Sequence, residues 1–246
     1  VTIPASSSRL RGQLFDVLFL GWTILQFVVQ SPRLVMPWAR RHRIAEGYEG
    51  GIDWLERHVL GLTYSVSGEL PRQGPALIAI KHQSAWETLK LHLIFDNPAV
   101  VVKKELLEIP IWGRYAAALD MIPIDRKSGS TAMAILKQAA GKAMQQKRCL
   151  VIFPEGTRVP VGEHRPYKSG VLKLYETTGL PIIPVALNSG LFWPHDGKNK
   201  RGGHITLEVL ETIPAGLHPA TALKLLEERI EEASRRLAGG EKGSAS

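Results

Sequence analysis

In the stretch "KHQSAWETLK", residues 81–90, an imidazole at His82 and a carboxylate at Glu87 stand five positions apart, directly after the apolar run "PALIAI". A histidine with a carboxylate partner can take a proton from a hydroxyl. The carboxylate fixes the ring tautomer and stabilises the imidazolium that forms. The same letters also read as the start of a helix: Ser84 can serve as the N-cap, and Glu87, three residues later, completes a capping box. The two readings share one geometry, because a carboxylate folded back over the first turn comes near His82. Isolated histidines more often pack than react, so the pair is weighed with its surroundings.

Three more stretches carry reactive residue types at apparent strand ends. In "VVKKELLEIPIWG" (101–113), Lys103 and Lys104 can meet an anion or remain a solvated charge pair. In "MIPIDRKSG" (121–129), Asp125 and Arg126 can bind substrate or form a local ion pair or helix cap. In "VIFPEGTRVP" (151–160), Pro154 stops the strand and Gly156 opens backbone angles that other residues resist. Arg158 presents a planar fork suited to phosphate oxygens. Glu155 beside it can enter a buried pair or accept from a substrate hydroxyl. Ser84 has no Gly-x-Ser-x-Gly setting, so it is not expected to be a nucleophile. No metal-ligand spacing is found, and no metal is expected.

These residues need a scaffold. Short apolar runs at 75–80, 99–102, 121–124, 149–153, 182–187 and 204–210 read as strands. Helical patterns fall at about 85–95, 110–118, 130–146, 168–178 and 219–238, the last with Leu223, Leu226, Ile230, Ala233 and Leu237 on one face. Strands alternating with helices predict an α/β domain, a largely parallel sheet flanked by helices. In such domains chemistry gathers where strands end.

Ahead of it lies an apolar N-terminal stretch. Between Asp16 and Gln30, residues Val17 to Val29 number 13, whereas a straight span needs about 20. The pattern reads as a helix lying in or shallowly inserted into a membrane interface, ahead of a true span or a core helix. Trp22 and Trp38 suit headgroup depth, and Arg33, Arg40, Arg41 and Arg43 suit anionic headgroups. A secretory signal peptide is not expected. The expected division is a membrane-associating segment, 1–45, and an α/β domain, 46–240.

Composition narrows the partners. With 31 Lys+Arg against 23 Asp+Glu, the formal charge of +8 suits a lipid surface, nucleic acid or a phosphorylated substrate. No nucleic-acid motif or basic–aromatic interleaving is present, so nucleic acid is set aside. The single cysteine, Cys149, excludes an internal disulfide and reads as a small hydrophobe in a buried strand.

Taken together, the four stretches resemble the glycerolipid acyltransferase family, which contains the 1-acyl-glycerol-3-phosphate acyltransferases. His82 and Glu87 match its histidine and acid separated by four residues. "IPIDR" matches its apolar-acid-arginine block, Phe153 to Arg158 match its Phe-Pro-Glu-Gly-Thr-Arg block, and "GLPIIPVAL" matches its proline-containing apolar block. "KKEL" is similar to its lysine-bearing segment, with the basic residue at Lys103. The match covers roughly 75–190, in order. One departure is Glu87, where the family usually has aspartate.

The resemblance implies a transferase of lipid metabolism. It would move an acyl group from an acyl-CoA or acyl carrier protein thioester to the sn-2 hydroxyl of lysophosphatidate, making phosphatidic acid in phospholipid biosynthesis. His82 and Glu87 are the implied catalytic pair. Lys103, Arg126, Glu155, Gly156, Thr157 and Arg158 are the implied substrate-binding residues. No cofactor beyond the thioester co-substrate is implied. The expected location is the cytoplasmic face of the inner membrane, peripheral or shallowly inserted. A lyso-ornithine lipid as acceptor, or a catalytically silent lipid-binding relative, are the alternative readings.

Overall fold

The structure, a computed structural model, describes residues 5–32, 42–70, 75–109, 112–124 and 129–239. Within them one sheet holds β1 (Leu62–Ser67), β2 (Leu77–Ile80), β3 (Ala99–Lys103), β4 (Ile122–Ile124), β5 (Leu150–Ile152), β6 (Ile182–Leu187) and β7 (Gly203–Val209). Their order is β1-β7-β6-β2-β5-β3-β4. Every pairing is parallel except that of β6 with β7. Strands β2 to β6 therefore run the same way, and the loops after them leave one edge.

Central β2 shows why the sheet is buried on both faces. Leu77 and Ala79 point into one core layer, and Ile78 and Ile80 into the other. The first layer is closed by α5 (Gly129–Gln145), α6 (Ser169–Thr178) and α7 (Pro219–Gly239). Helix α7 turns Ala222, Leu226, Ile230 and Ala233 inward, at the spacing expected of it. The second layer takes Leu91 of the short α3 (Leu91–Ile94) and Phe95. A further helix, α4 (Trp112–Ala118), follows β3.

Two expectations need correction. Strand β1 was not anticipated: "LTYSVS" alternates buried and exposed positions at the sheet edge, so no apolar run marks it. The helix expected over 85–95 is broken into a 3-10 turn, Glu87–Leu89, and α3, with Lys90 between them. The segment is held from outside instead. Glu49, Asp53 and Glu56 form an acidic row on α2 (His42–Leu55) and the π turn that continues it. Glu49 accepts from the His92 and Leu93 amides and pairs with His92 Nδ1 at 2.8 Å. Lys90 reaches Glu56 at 2.9 Å and Asp53 at 3.3 Å, and Trp86 Nε1 donates to Glu56. These buried partners outweigh the local preference for a continuous helix.

Helix α1 (Ala5–Gln30) is 26 residues long, twice the apolar stretch seen in the sequence. One stripe of it sits on the domain. Phe15 is fully buried against Trp193, and Asp16 pairs with Lys200. Trp22 Nε1 donates to the Tyr48 carbonyl, and Tyr115 donates to the Phe27 carbonyl. Gly51 makes room for the Trp22 ring, since a Cβ there would meet it at 2.1 Å. The opposite stripe, including Leu14, Val17, Leu25 and Val28, is exposed. Helix α2 runs across the division expected at residue 45. Arg33, Trp38, Arg40 and Arg41 lie outside the described residues; Arg43 is exposed.

Candidate active site

The strand-end loops meet around His82, the second residue beyond β2. Its Nδ1 lies 2.9 Å from Glu87 Oε1. Oε1 also accepts from the Gln83 and Ser84 amides, at 2.7 and 2.8 Å. Oε2 accepts from the Ser84 hydroxyl at 3.0 Å and the Ser189 hydroxyl at 2.8 Å. Capping-type bonds and the histidine contact therefore use one carboxylate. Burial by itself would raise the Glu87 pKa. The hydrogen bond from His82, the charge that ring can carry and the Ser84 amide outweigh it and hold the group below the ordinary carboxylate value. An ionised carboxylate only accepts, so Nδ1 carries the proton of this hydrogen bond, and Nε2 is the nitrogen left to act as base when the ring is neutral.

The "FPEGTR" loop builds the seat for this ring. Phe153 stacks on it, with centroids 4.1 Å apart. Glu155 Oε2 accepts from the His82 amide at 2.9 Å, while the His82 carbonyl accepts from the Val159 amide at 2.8 Å. Gly156 turns at φ 68°, which lets the chain double back there. Glu155 does not line the cavity in front of His82. It is 1% exposed and its Oε1 pairs with buried Lys81 at 2.7 Å. Lys81 also pairs with Glu231 of α7 at 2.6 Å, and Tyr167 donates to the same Glu231 oxygen. Burial pushes the Glu155 pKa up, against the pull of Lys81.

A cavity of about 1150 Å³ opens in front of His82. Lys103, Gly156, Thr157 and Arg158 line it, as do Lys168 and Lys173, which were not anticipated. Lys103 and Arg158 are solvent-exposed, so an anionic group entering from outside can reach them. Elsewhere the wall is largely apolar, with Phe27, Val100, Leu106, Trp112, Leu119 and Met121. Helix α1 thus contributes to the site as well as to the surface. Asp125 and Arg126 lie outside the described residues. Cys149 is buried in the core, where burial pushes its thiol pKa up.

Ser189, Phe153 as a stacking partner and the Lys81–Glu231 pair were missed in the sequence. Ser189 sits at the end of "IIPVAL", and the pairing of that strand with β2 is the fact needed to find it. The arrangement as a whole offers an imidazole held by a carboxylate, exposed cations beside it and an apolar volume. That combination suits the activation of a hydroxyl on a phosphorylated, chain-bearing substrate.

Comparison with known proteins places the chain by family and by fold. An acyltransferase family model matches residues 62–188. The chain is similar to a 1-acyl-sn-glycerol-3-phosphate acyltransferase of Pseudomonas aeruginosa, 33% identical over 233 residues that cover 94% of this chain and 89% of that protein. It is 29% identical to the human 1-acyl-sn-glycerol-3-phosphate acyltransferase beta over 72% of this chain and 66% of that one. The crystal structure of a 1-acyl-sn-glycerophosphate acyltransferase from Thermotoga maritima superposes with a TM-score of 0.73. It covers 94% of this chain and 97% of its own at 20% identity, a likeness of fold.

Proposed function

The chain belongs to the acyltransferase family, and from that premise we propose that it transfers a fatty acyl group from an acyl thioester to the sn-2 hydroxyl of 1-acyl-glycerol-3-phosphate, forming phosphatidic acid. The observation that carries the reading is His82 Nδ1 on the buried Glu87 carboxylate, at 2.9 Å, beside a cavity whose rim holds Lys103 and Arg158. His82 Nε2 takes the proton of the acceptor hydroxyl as its oxygen attacks the thioester carbon. The tetrahedral intermediate then collapses, the carbon–sulfur bond breaks, and the imidazolium returns the proton to the departing thiolate. No acyl-enzyme and no cofactor are required. Arg158 and Lys103 hold the acceptor phosphate, which fixes the hydroxyl against the base. The apolar wall receives acyl chain.

The exposed stripe of α1 lies in the membrane interface in this reading, on the cytoplasmic face of the inner membrane, where a soluble donor and a lipid acceptor meet. The Arg9–Gln30 stretch is long and apolar enough to cross a membrane. Its other stripe is bonded to the domain from Asp16 to Phe27, which favours a helix lying flat, half in protein and half in lipid.

The test uses the purified full chain with lysophosphatidate or lyso-ornithine lipid in vesicles, each with acyl-CoA or acyl carrier protein donors. Phosphatidic acid is expected by mass spectrometry, and His82→Ala should lower its formation by roughly 10²–10⁴-fold. The reading fails if neither donor yields phosphatidic acid, or if His82→Ala turns over like the parent.

A further inference from the structure

Glu87 is held on both oxygens, and the two holds differ in kind. Ser84 is three residues away on the same turn, so its hydroxyl travels with Glu87 if the turn shifts. Its oxygen is also engaged as acceptor of the Trp86 amide at 2.9 Å. Ser189 is 102 residues away in sequence and wholly buried, and its hydroxyl donates to Oε2 at 2.8 Å. It stands on the 3-10 turn Ser189–Leu191, which follows β6 after Asn188. That turn is itself anchored. Asn188 Oδ1 accepts from the Thr206 amide of β7 at 2.9 Å, and the Gly190 amide donates to Gln83 Oε1 at 3.0 Å. A Cβ on Gly190 would meet Val161 Cγ2 at 2.7 Å and Gln83 Cβ at 3.1 Å, so the turn lies directly against the residue after His82. The parallel register of β2 and β6, Ile80 opposite Val185, delivers both turns to the same edge.

We infer that Ser189 is a positioning residue for acyl transfer: its hydroxyl locks the Glu87 carboxylate in the plane that keeps Oε1 on His82 Nδ1. The inference rests on the proposed base role of His82. A carboxylate bonded through Oε1 alone can swing about its last torsion, whose energy surface is broad and two-fold. Ser84 moves with the turn that carries Glu87; Ser189, fixed to two strands, does not. Glutamate has one more side-chain torsion than aspartate, so its carboxylate is less fixed by the backbone and the distant pin matters more here. The hydroxyl touches no substrate and acts through Glu87.

The experiment compares Ser189→Ala, and near-isosteric Ser189→Cys as a weak donor, with the parent enzyme on vesicle-borne lysophosphatidate. Both should lower kcat roughly tenfold, the worth of one buried hydrogen bond to a charged group. KM for either substrate should stay within about twofold, since neither binding surface is altered. In a Glu87→Ala background the same changes should cost less than about twofold, because Ser189 acts through that side chain. Parent-like kcat in both variants overturns the inference. So does a tenfold loss that persists beside Glu87→Ala, or a rise in both KM values, each of which marks a packing role. A second readout is independent of turnover. The low-field NMR proton of His82 Nδ1 should be sharp in the parent and broadened in Ser189→Ala, and an unchanged signal overturns the inference too. A parent that makes no phosphatidic acid refutes the proposed function, and the NMR comparison still decides the role of Ser189.

Discussion

Glu87→Gln is the most informative substitution, because it keeps shape and removes charge. The five bonds to the Glu87 carboxylate all come from donors: His82 Nδ1, the Gln83 and Ser84 amides, and two serine hydroxyls. A glutamine oxygen in the place of Oε1 still accepts from the ring and both amides. Its NH₂ then faces Ser84 and Ser189, whose hydroxyls can rotate to accept. Tautomer and turn survive, and what disappears is attraction between the carboxylate and the imidazolium formed at the transition state. With Nδ1 and Oε1 at 2.9 Å, the charge centres stand about 4 Å apart, worth about 4 kcal/mol at an effective dielectric of about 20. That corresponds to roughly 10³-fold in rate.

Steady-state kcat on lysophosphatidate is the assay, with KM expected to hold. The melting temperature should fall by roughly 2–8 °C at neutral pH, the cost of about 1–2 kcal/mol of weakened hydrogen bonding in a chain of this size. The sign with pH follows from the depressed carboxylate. Its stabilisation is complete above the ordinary value of 4.5 and drains away as pH falls through the lower folded value. The gap between parent and variant should therefore narrow below about pH 4.5. A Glu87→Gln enzyme with parent-like kcat would refute the dyad and leave Glu87 as a turn former.

Arg158→Ala should raise the KM for lysophosphatidate well above its effect on the donor, and Arg158→Lys should restore only part, because an ammonium lacks the planar fork; equal effects on both substrates would contradict the phosphate role. Val17→Glu together with Leu25→Glu and Val28→Glu, all on the exposed stripe of α1, should cut vesicle co-sedimentation without unfolding the domain, and full sedimentation would move the membrane contact elsewhere. Lys81→Met leaves Glu155 and Glu231 without their shared cation and should cost about 3–5 kcal/mol, or roughly 6–20 °C in melting temperature by calorimetry. An unchanged midpoint would show that the buried pair does not hold the seat of His82.

Local patterns in the chain already specified much of the molecule. A run such as "LIAI" or "IIPVAL" is apolar enough to be buried on both faces, so β2 and β6 are readable from composition alone. Spacings of three and four do the same for α7. His82 and Glu87 meet through a turn of a few residues, which is why their pairing was open to inspection before any fold was known. Long-range facts were not open in this way. Ser189 reaches Glu87 because two parallel strands align in register, and nothing within the sequence of either strand states its neighbour. Glu155 stands between residues that line the cavity, yet it turns inward to Lys81, whose position is set by α7. Residues 86–92 carry helical patterning, but the acidic row on α2 and the π turn after it binds Trp86, Lys90 and His92, and those long-range bonds outweigh propensity. Helix α1 extends past its most apolar stretch because Phe15, Asp16 and Trp22 find partners on the domain. Chemistry that spans a single turn is written locally, and chemistry assembled across strands depends on which strands become neighbours.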